Sequence, residues 1–451
     1  MKKINLFLVI LAFMMAACQS EDKTSDLDNL VKWDGTVAVA FDTDSEPFII
    51  STPAQLKLLS DIVNDSSRTT IAGASASSSY KLAKSFDLDS LTWTPIGSVE
   101  HPFKGIFDGD GHTIKGLFIN TDLGYQGLFG YILEGTVKNI NILDGNITAG
   151  NVMINNDYNG GIVGYNNNGT IDGCTVAGLL TNNSNNFGGI AGYMKGINSK
   201  IINCENKALI ISTFGCRIGG IVGFALDGVV DHCRNTGSFD SGESYYTGGI
   251  AGQTSKSSIL NCCNISNING QLNVGGVVGV SAPQSLIANC YNTGNVEGVT
   301  FMGENSGSSI GGIVGTNVGT IRNCYNAGTI TSLSAVEGNY IGGVVGRNDD
   351  GIVNYCYYLQ HCAIDGASMY QNGIGVLTLD SVAIDTDGQT NAFTQVQGWA
   401  SKGNIEFHIG IGNFSAHSAL VDCLNAWQFQ NSTGFTPWAG GNSKYPVFIG
   451  E

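Results

Sequence analysis

Residues 311–330 read GGIVGTNVGTIRNCYNAGTI. A glycine pair opens a short β-branched run, a second run follows, and Cys324 sits three residues after Ile321. Taken alone, Cys324 suggests a nucleophile, a metal ligand or half of a disulfide. The rest of the chain argues otherwise, because the stretch recurs. Paired glycines begin at 160, 188, 219, 248, 275, 311 and 342, at spacings of 28, 31, 29, 27, 36 and 31 residues. Each pair is followed by a cysteine, at Cys174, Cys204, Cys233, Cys262, Cys290, Cys324 and Cys356. Three residues before each cysteine lies a β-branched residue: Ile171, Ile201, Val230, Ile259, Ile287, Ile321 and Val353. Two diverged units precede these. QGLFG at 126–130 leads to Val137 and Ile140, and KGIFDG at 104–109 leads to Ile114 and Leu117, in the β-branched and cysteine slots respectively.

Each unit holds two short β-type runs separated by Gly, Asn, Asp and Ser, with no helical periodicity. Such a unit cannot bury its apolar side alone, but stacking like on like builds a continuous core. The pattern predicts an all-β chain: a parallel β-helix of about nine coils, its strands roughly 4.8 Å from their counterparts above and below. Right-handed winding is the expectation. The units are too short for four propeller strands and contain no helix pair.

The segments GGIVGTNVGTIRNCYNAGTI, GGIVGFALDGVVDHCRNTGSF and GLFGYILEGTVKNINIL resemble GLUG-motif repeats, as do the leading TPIGSVEHPFKGIFDGDGHTIKGLFI and ISTPAQLKLLSDIVN. The resemblance covers roughly residues 48–360. It implies an extracellular β-helical module of the kind found in bacterial adhesins and in stalks of IgA-cleaving metallopeptidases. It implies no chemistry of its own.

Under this fold the cysteines form one column. A slot that also takes Leu117 and Ile140 wants an apolar side chain, and a free cysteine behaves as a small buried hydrophobe. In-register strands lie about 4.8 Å apart, whereas disulfides want Cβ atoms about 3.5–4.5 Å apart. The seven thiols therefore read as an inert structural ladder. Asn139, Asn203, Asn261, Asn289 and Asn323 precede the slot, and Asn206, Asn235, Asn264, Asn292 and Asn326 follow it by two. Stacked amides can hydrogen-bond along the rod, and asparagine also suits turns.

A catalytic reading rests on Asp172, Glu205 and Asp231 in three consecutive units. Asp172 and Asp231 would stand two coils apart, roughly 9–10 Å from the strand spacing, near the upper limit for an inverting glycosidase, about 6.5–9.5 Å. Solvated surface positions are the simpler reading. Asp108, Asp110 and His112 in FDGDGHTI suggest a tight turn rather than a metal centre. Cys262-Cys263 are adjacent and would point oppositely on a strand, no C-x2-C pair or His-Glu-x-x-His zinc signature occurs, and no cofactor is expected.

The ends differ from the array. Lys2, Lys3, the apolar run Ile4–Met15 and Ala16-Ala17-Cys18 resemble a lipoprotein signal with Cys18 as the lipidated residue. The expected organisation is a signal peptide over 1–17, a lipidated cysteine and tether over 18–45, and a capping region over 46–100. Repeats follow over 101–365, and a non-repeating C-terminal cap or small β-rich domain over 366–451. Leu56, Leu58, Leu59 and Ile62 place a short amphipathic helix over 53–63 with Ser51 or Thr52 as N-cap, covering the open first coil.

Acidic residues exceed basic ones by 37 − 21 = 16, which argues against nucleic acid and against electrostatic attraction to anionic lipid. The expectation is a lipid-anchored lipoprotein on the outer membrane of a Gram-negative cell, exposed at its surface. It is expected to serve as a non-catalytic adhesin for a host surface or matrix protein, or for a glycan. A β-helical polysaccharide lyase or glycoside hydrolase is the alternative. Phe301 and Met302, in one of three long inter-strand intervals, and the C-terminal Trp427 and Trp438 are the candidate binding residues.

Overall fold

The structure is a computed structural model. It describes residues 27, 29–65, 73–150, 157–182, 185–212, 214–299, 308–333 and 340–359, and short segments beyond. Those segments are 363–365, 368–370, 374–378, 395–397, 406–410, 424–425, 435–439 and 447–448. Cys18, Phe301, Met302 and Trp427 lie outside the described residues.

The chain winds as a parallel β-solenoid. In one coil, residues Phe187–Gly188, Ala191–Lys195, Lys200–Ile202 and Glu205–Asn206 are four successive short strands on different sides of the rod. Each pairs in parallel with its counterparts in the coils before and after. The sheet containing Lys200–Ile202 has eleven strands. Nine of them belong to the recognised units. Phe48–Ile50 and Ser79–Leu82 precede these in register, so the solenoid begins in sequence that lacks the glycine signature.

The register corrects the alignment of the first unit. Val137 pairs with Phe107, not Ile114, while Ile114 pairs with Phe86 and Ile142 in the next sheet. The cysteine column passes from Ile140 to His112, whose carbonyl accepts from Asn141, and Leu117 stands outside it. The cause is a tight turn. Asp110 and Gly111 are both left-handed, and the Asp108 carboxylate accepts the Asp110 amide. The turn thus puts four residues between Ile106–Asp108 and Thr113–Lys115, where the next coil has two between Thr136–Lys138 and Asn141–Ala149.

Interior columns explain the repeat. Ile171, Ile201, Val230, Ile259, Ile287 and Ile321 are fully buried register partners. The residue before each cysteine slot turns the corner with left-handed backbone: Asn139, Gly173, Asn203, His232, Asn261, Asn289, Asn323 and Tyr355. Asparagine and glycine tolerate this conformation best. The asparagines two residues after the slot point inward and form a continuous chain. Asn206 donates to Asn235 (2.8 Å), Asn235 to Asn264 (2.7 Å), Asn264 to Asn292 (2.7 Å) and Asn292 to Asn326 (2.8 Å). A buried amide this fully bonded avoids the penalty of desolvation.

The helix forms over Pro53–Asn64 with Thr52 as N-cap and a capping box to Gln55. Leu56, Leu58, Leu59, Ile62 and Val63 are buried. Ser60 and Asn64 donate to the carbonyls of Thr94 and Pro95, and Asn64 accepts from the Gly97 amide (2.9 Å). The helix thus lies against the first rung of a sheet whose backbone groups would otherwise face solvent. At the other end, parallel pairing continues past residue 365, through Ile374–Thr378 on Val345–Asp349. An antiparallel strand, Glu406–Gly410, then lies along Cys356–Leu359.

Candidate ligand-binding face

The third glycine of each glycine run is where one coil touches the coil before it. A Cβ on Gly164 would lie 2.7 Å from the Tyr125 carbonyl carbon, on Gly192 2.7 Å from that of Tyr158, and on Gly252 2.4 Å from that of Arg217. Side chains do not fit at such distances, so glycine is required for the close approach. As a result, two outward-facing columns from neighbouring strands stand side by side. Tyr131, Tyr165, Tyr193 and Phe224 are register partners in one column. Tyr125, Tyr158, Asn186 and Arg217 each precede a strand residue of the adjacent glycine-bearing column.

The aromatic rings interlock. Tyr131 and Tyr165 stack with centroids 4.8 Å apart at 9°, and Tyr158 stacks on Tyr193 at 4.9 Å and 22°. Tyr158 also meets Tyr165 edge-on at 5.0 Å, and Tyr193 meets Phe224 at 5.2 Å. Tyr193 is 8% exposed, and the others are half-buried. Each pair adds about 0.5–1.5 kcal/mol beyond area burial, so the rings hold one another in fixed positions. Burial, and then the neighbouring phenols, push the Tyr125 and Tyr193 hydroxyls up to about 12. They stay protonated at neutral pH and can both donate and accept hydrogen bonds.

Arg217 closes this strip. Its guanidinium sits 5.1 Å over the Phe224 ring and bonds the Gln253 and Asn186 side-chain oxygens. The backbones of Tyr125 and Arg217 are left-handed, with φ of 60° and 69°, an uncommon state for bulky residues. The long connections leaving Ala149, Gly298 and Ser332 re-enter the rod in this glycine-bearing sheet, at Asn159, Ser309 and Tyr340.

The glycine geometry has a counterpart among known proteins: residues 306–331 match the model of the GLUG motif. The chain carries a GLUG motif. A 115-residue stretch, 24% of the chain, is 31% identical to an Evansella cellulosilytica protein provisionally named a Gly-rich membrane protein. The match spans 12% of that protein's length. The chain is also similar to the crystal structure of a Bacteroides ovatus protein provisionally described as an immunoglobulin A1 protease. That likeness has 18% identity, a TM-score of 0.39, and covers 90% of this chain and 93% of the other. No helix among the described residues is long and apolar enough to cross a membrane.

Within the coils the expected site residues fall as follows. Cys174, Cys204, Cys233, Cys262, Cys290, Cys324 and Cys356 are buried free thiols. Each donates to the carbonyl two residues before it, Cys324 to Arg322 at 3.1 Å for example. Burial raises the Cys174, Cys204, Cys233, Cys262, Cys290 and Cys324 thiols well above their usual range, so thiolate nucleophiles are suppressed.

Asp172 and Asp231 do lie two rungs apart, with Ile202 between them. Glu205 is on a different sheet, around the corner and beyond Cys204. Each carboxylate is engaged: Asp172 by Asn203 (2.8 Å), Asp231 by Asn261 (2.7 Å) and His232 (2.8 Å), Glu205 by Lys207 (3.0 Å). Only Glu205 stands apart from the column that Asp172 and Asp231 share. Among the described residues no group of three His, Cys, Asp or Glu side chains could hold a metal.

Trp438 needs correction as a candidate binding residue. It is 2% exposed, and its ring packs 5.8 Å from Tyr291, 5.5 Å from Tyr325 and 4.6 Å from Phe448. The hairpin Trp438–Ala439 with Val447–Phe448 folds back on the side of the rod. Thr436 there bonds Asn261 and Asn289 through its backbone and His232 through its hydroxyl. Long-range docking buries this tryptophan, and no local signal in the sequence announces it. The tyrosine strip was missed for a related reason. Its rings are scattered singly over about a hundred residues and meet only through the coil register. Their constant place beside the glycine runs, as in YNGGIVGYN at 158–166, was the available signal.

Proposed function

We propose that this protein is a non-catalytic recognition scaffold that binds polysaccharide along the tyrosine strip while tethered to the cell surface. The observation that carries this reading is the row Tyr131, Tyr165, Tyr193 and Phe224, flanked by Tyr125 and Tyr158. Pyranose rings present an apolar C–H face and a rim of hydroxyls. Fixed aromatic faces with neutral phenol groups suit both, as amphipathic aromatic side chains do at wet interfaces. A rigid row needs little ordering on binding, which favours affinity for an extended chain.

The engagement of Asp172, Asp231 and Glu205 by neighbouring side chains, and the place of Glu205 on a different sheet, favour binding over the alternative of a lyase or glycoside hydrolase. The signal-like segment ending at Cys18 supports a lipid anchor in the outer membrane, with the rod outside the cell. Replacing Cys18 by Ser should abolish acyl labelling and release the protein from membranes. For the binding site, Tyr165→Ala should weaken adsorption to a polysaccharide panel by about tenfold or more, as for an interface hot spot. Unchanged adsorption across the panel would refute the assignment of this face.

A further inference from the structure

Arg217 is a half-buried cation with no carboxylate partner among the described residues, in a chain whose net charge is −16. Its three contacts are a neutral amide at Gln253, a second neutral amide at Asn186 (3.5 Å) and the Phe224 ring (5.1 Å). Here the backbone is also held left-handed, with φ of 69°. Tyr125 and Asn186, at the same place in earlier coils, share it with φ of 60° and 57°, so the coil fixes where this side chain leaves the backbone. A guanidinium stacked on an aromatic ring keeps its remaining N–H groups in a fixed plane, the geometry that recognises a carboxylate bidentately.

We infer that Arg217 is the specificity determinant of the strip and that it selects a glycan carrying a carboxylated sugar. This rests on the reading of the strip as a saccharide site. Tyr131, Tyr158, Tyr165 and Phe224 are the half-buried rings of the strip, and Arg217 stands at the end of that row. The overall charge narrows the ligand further. A polymer charged at every residue would be repelled by the net negative field of the chain. An otherwise neutral chain with an isolated uronate meets the local cation with far less of that repulsion.

The test uses the whole protein and matched ligands: a xylo-oligosaccharide bearing one glucuronate branch, and the same oligosaccharide with its carboxyl group reduced to the alcohol. Calorimetric titration should give the carboxylated form an affinity about tenfold or more higher, as a charge-assisted bidentate contact provides. Arg217→Asn, chosen because asparagine tolerates left-handed backbone, should remove that preference, so that the ratio of the two affinities falls to about one. Arg217→Lys should restore only part of it, since a point charge lacks the fork. Equal affinity for the two forms, with Tyr165→Ala still weakening both, would overturn the role of Arg217 and leave the strip intact as a site. Binding of neither form, or binding indifferent to Tyr165→Ala, would overturn both.

Discussion

Gly312 and Asn326 face each other across the interior of one coil: a Cβ on Gly312 would lie 2.3 Å from Asn326 Cγ. The same contact recurs between Gly189 and Asn206, Gly220 and Asn235, Gly249 and Asn264, and Gly276 and Asn292, at 2.4 or 2.5 Å. The second glycine of the signature and the asparagine after the cysteine slot are thus one structural unit. The glycine leaves the space that the amide fills.

Gly312→Ala should destabilise its coil by about 1–3 kcal/mol, because the added methyl group meets backbone at Gly343 as well as the amide. Gly242 is the control, since a Cβ there would meet nothing within 4 Å. Gly242→Ala should be neutral or stabilising by up to about 1 kcal/mol. Denaturant midpoints check the pair. Equal effects would show that the interior contact does not limit substitution.

Asn292 donates to Asn326 and to the Gly294 carbonyl, and accepts from Asn264. Asn292→Ala should leave buried polar groups unbonded on both sides, at about 1–3 kcal/mol each. Because coils are coupled to their neighbours, hydrogen exchange should accelerate first in the coils containing Asn264 and Asn326. Uniform acceleration along the rod would contradict a local ladder.

The six thiols raised by burial make stability fall with alkalinity. In the folded rod they hold their protons, whereas in the unfolded chain they ionise near the ordinary value of about 8.5. Above that pH the unfolded state binds fewer protons, so stability is lost progressively as pH rises toward the folded values. Melting measured from pH 7 to pH 10 should decline, and the decline should be shallower in Cys324→Ala. Alkylation by a thiol reagent should require unfolding. Rapid labelling of the native protein at Cys324 would refute the inert column.

Trp438→Ala should undock the C-terminal hairpin while leaving the solenoid folded. Limited proteolysis should then cut within 435–448, with the melting temperature of the rod nearly unchanged. A large loss of rod stability would mean that the hairpin, through Thr436 and Trp438, is part of the core.

The architecture was legible because in-register stacking forces each interior column to repeat in the chain: Ile321 and Cys324 are predictable from Ile287 and Cys290. The reading failed where register was hidden. The turn at Asp110-Gly111 shifted the first unit, so Phe107 and His112, not Ile114 and Leu117, precede Val137 and Ile140. The candidate site was less legible than the fold. Side chains outside the rod face no packing constraint that repeats them, and Tyr131, Tyr165 and Tyr193 give way to Gln253 and Val280 in later coils. Trp438 was misread because its burial depends on contacts more than a hundred residues away.

The most direct measurement of the central claim combines binding and turnover on one polysaccharide panel, using the wild-type protein and Tyr165→Ala. Saturable binding that Tyr165→Ala abolishes or weakens about tenfold is expected, with no release of reducing ends or unsaturated sugars by either protein. Product release lost in Asp172→Ala or Asp231→Ala, or binding untouched by Tyr165→Ala, would contradict it.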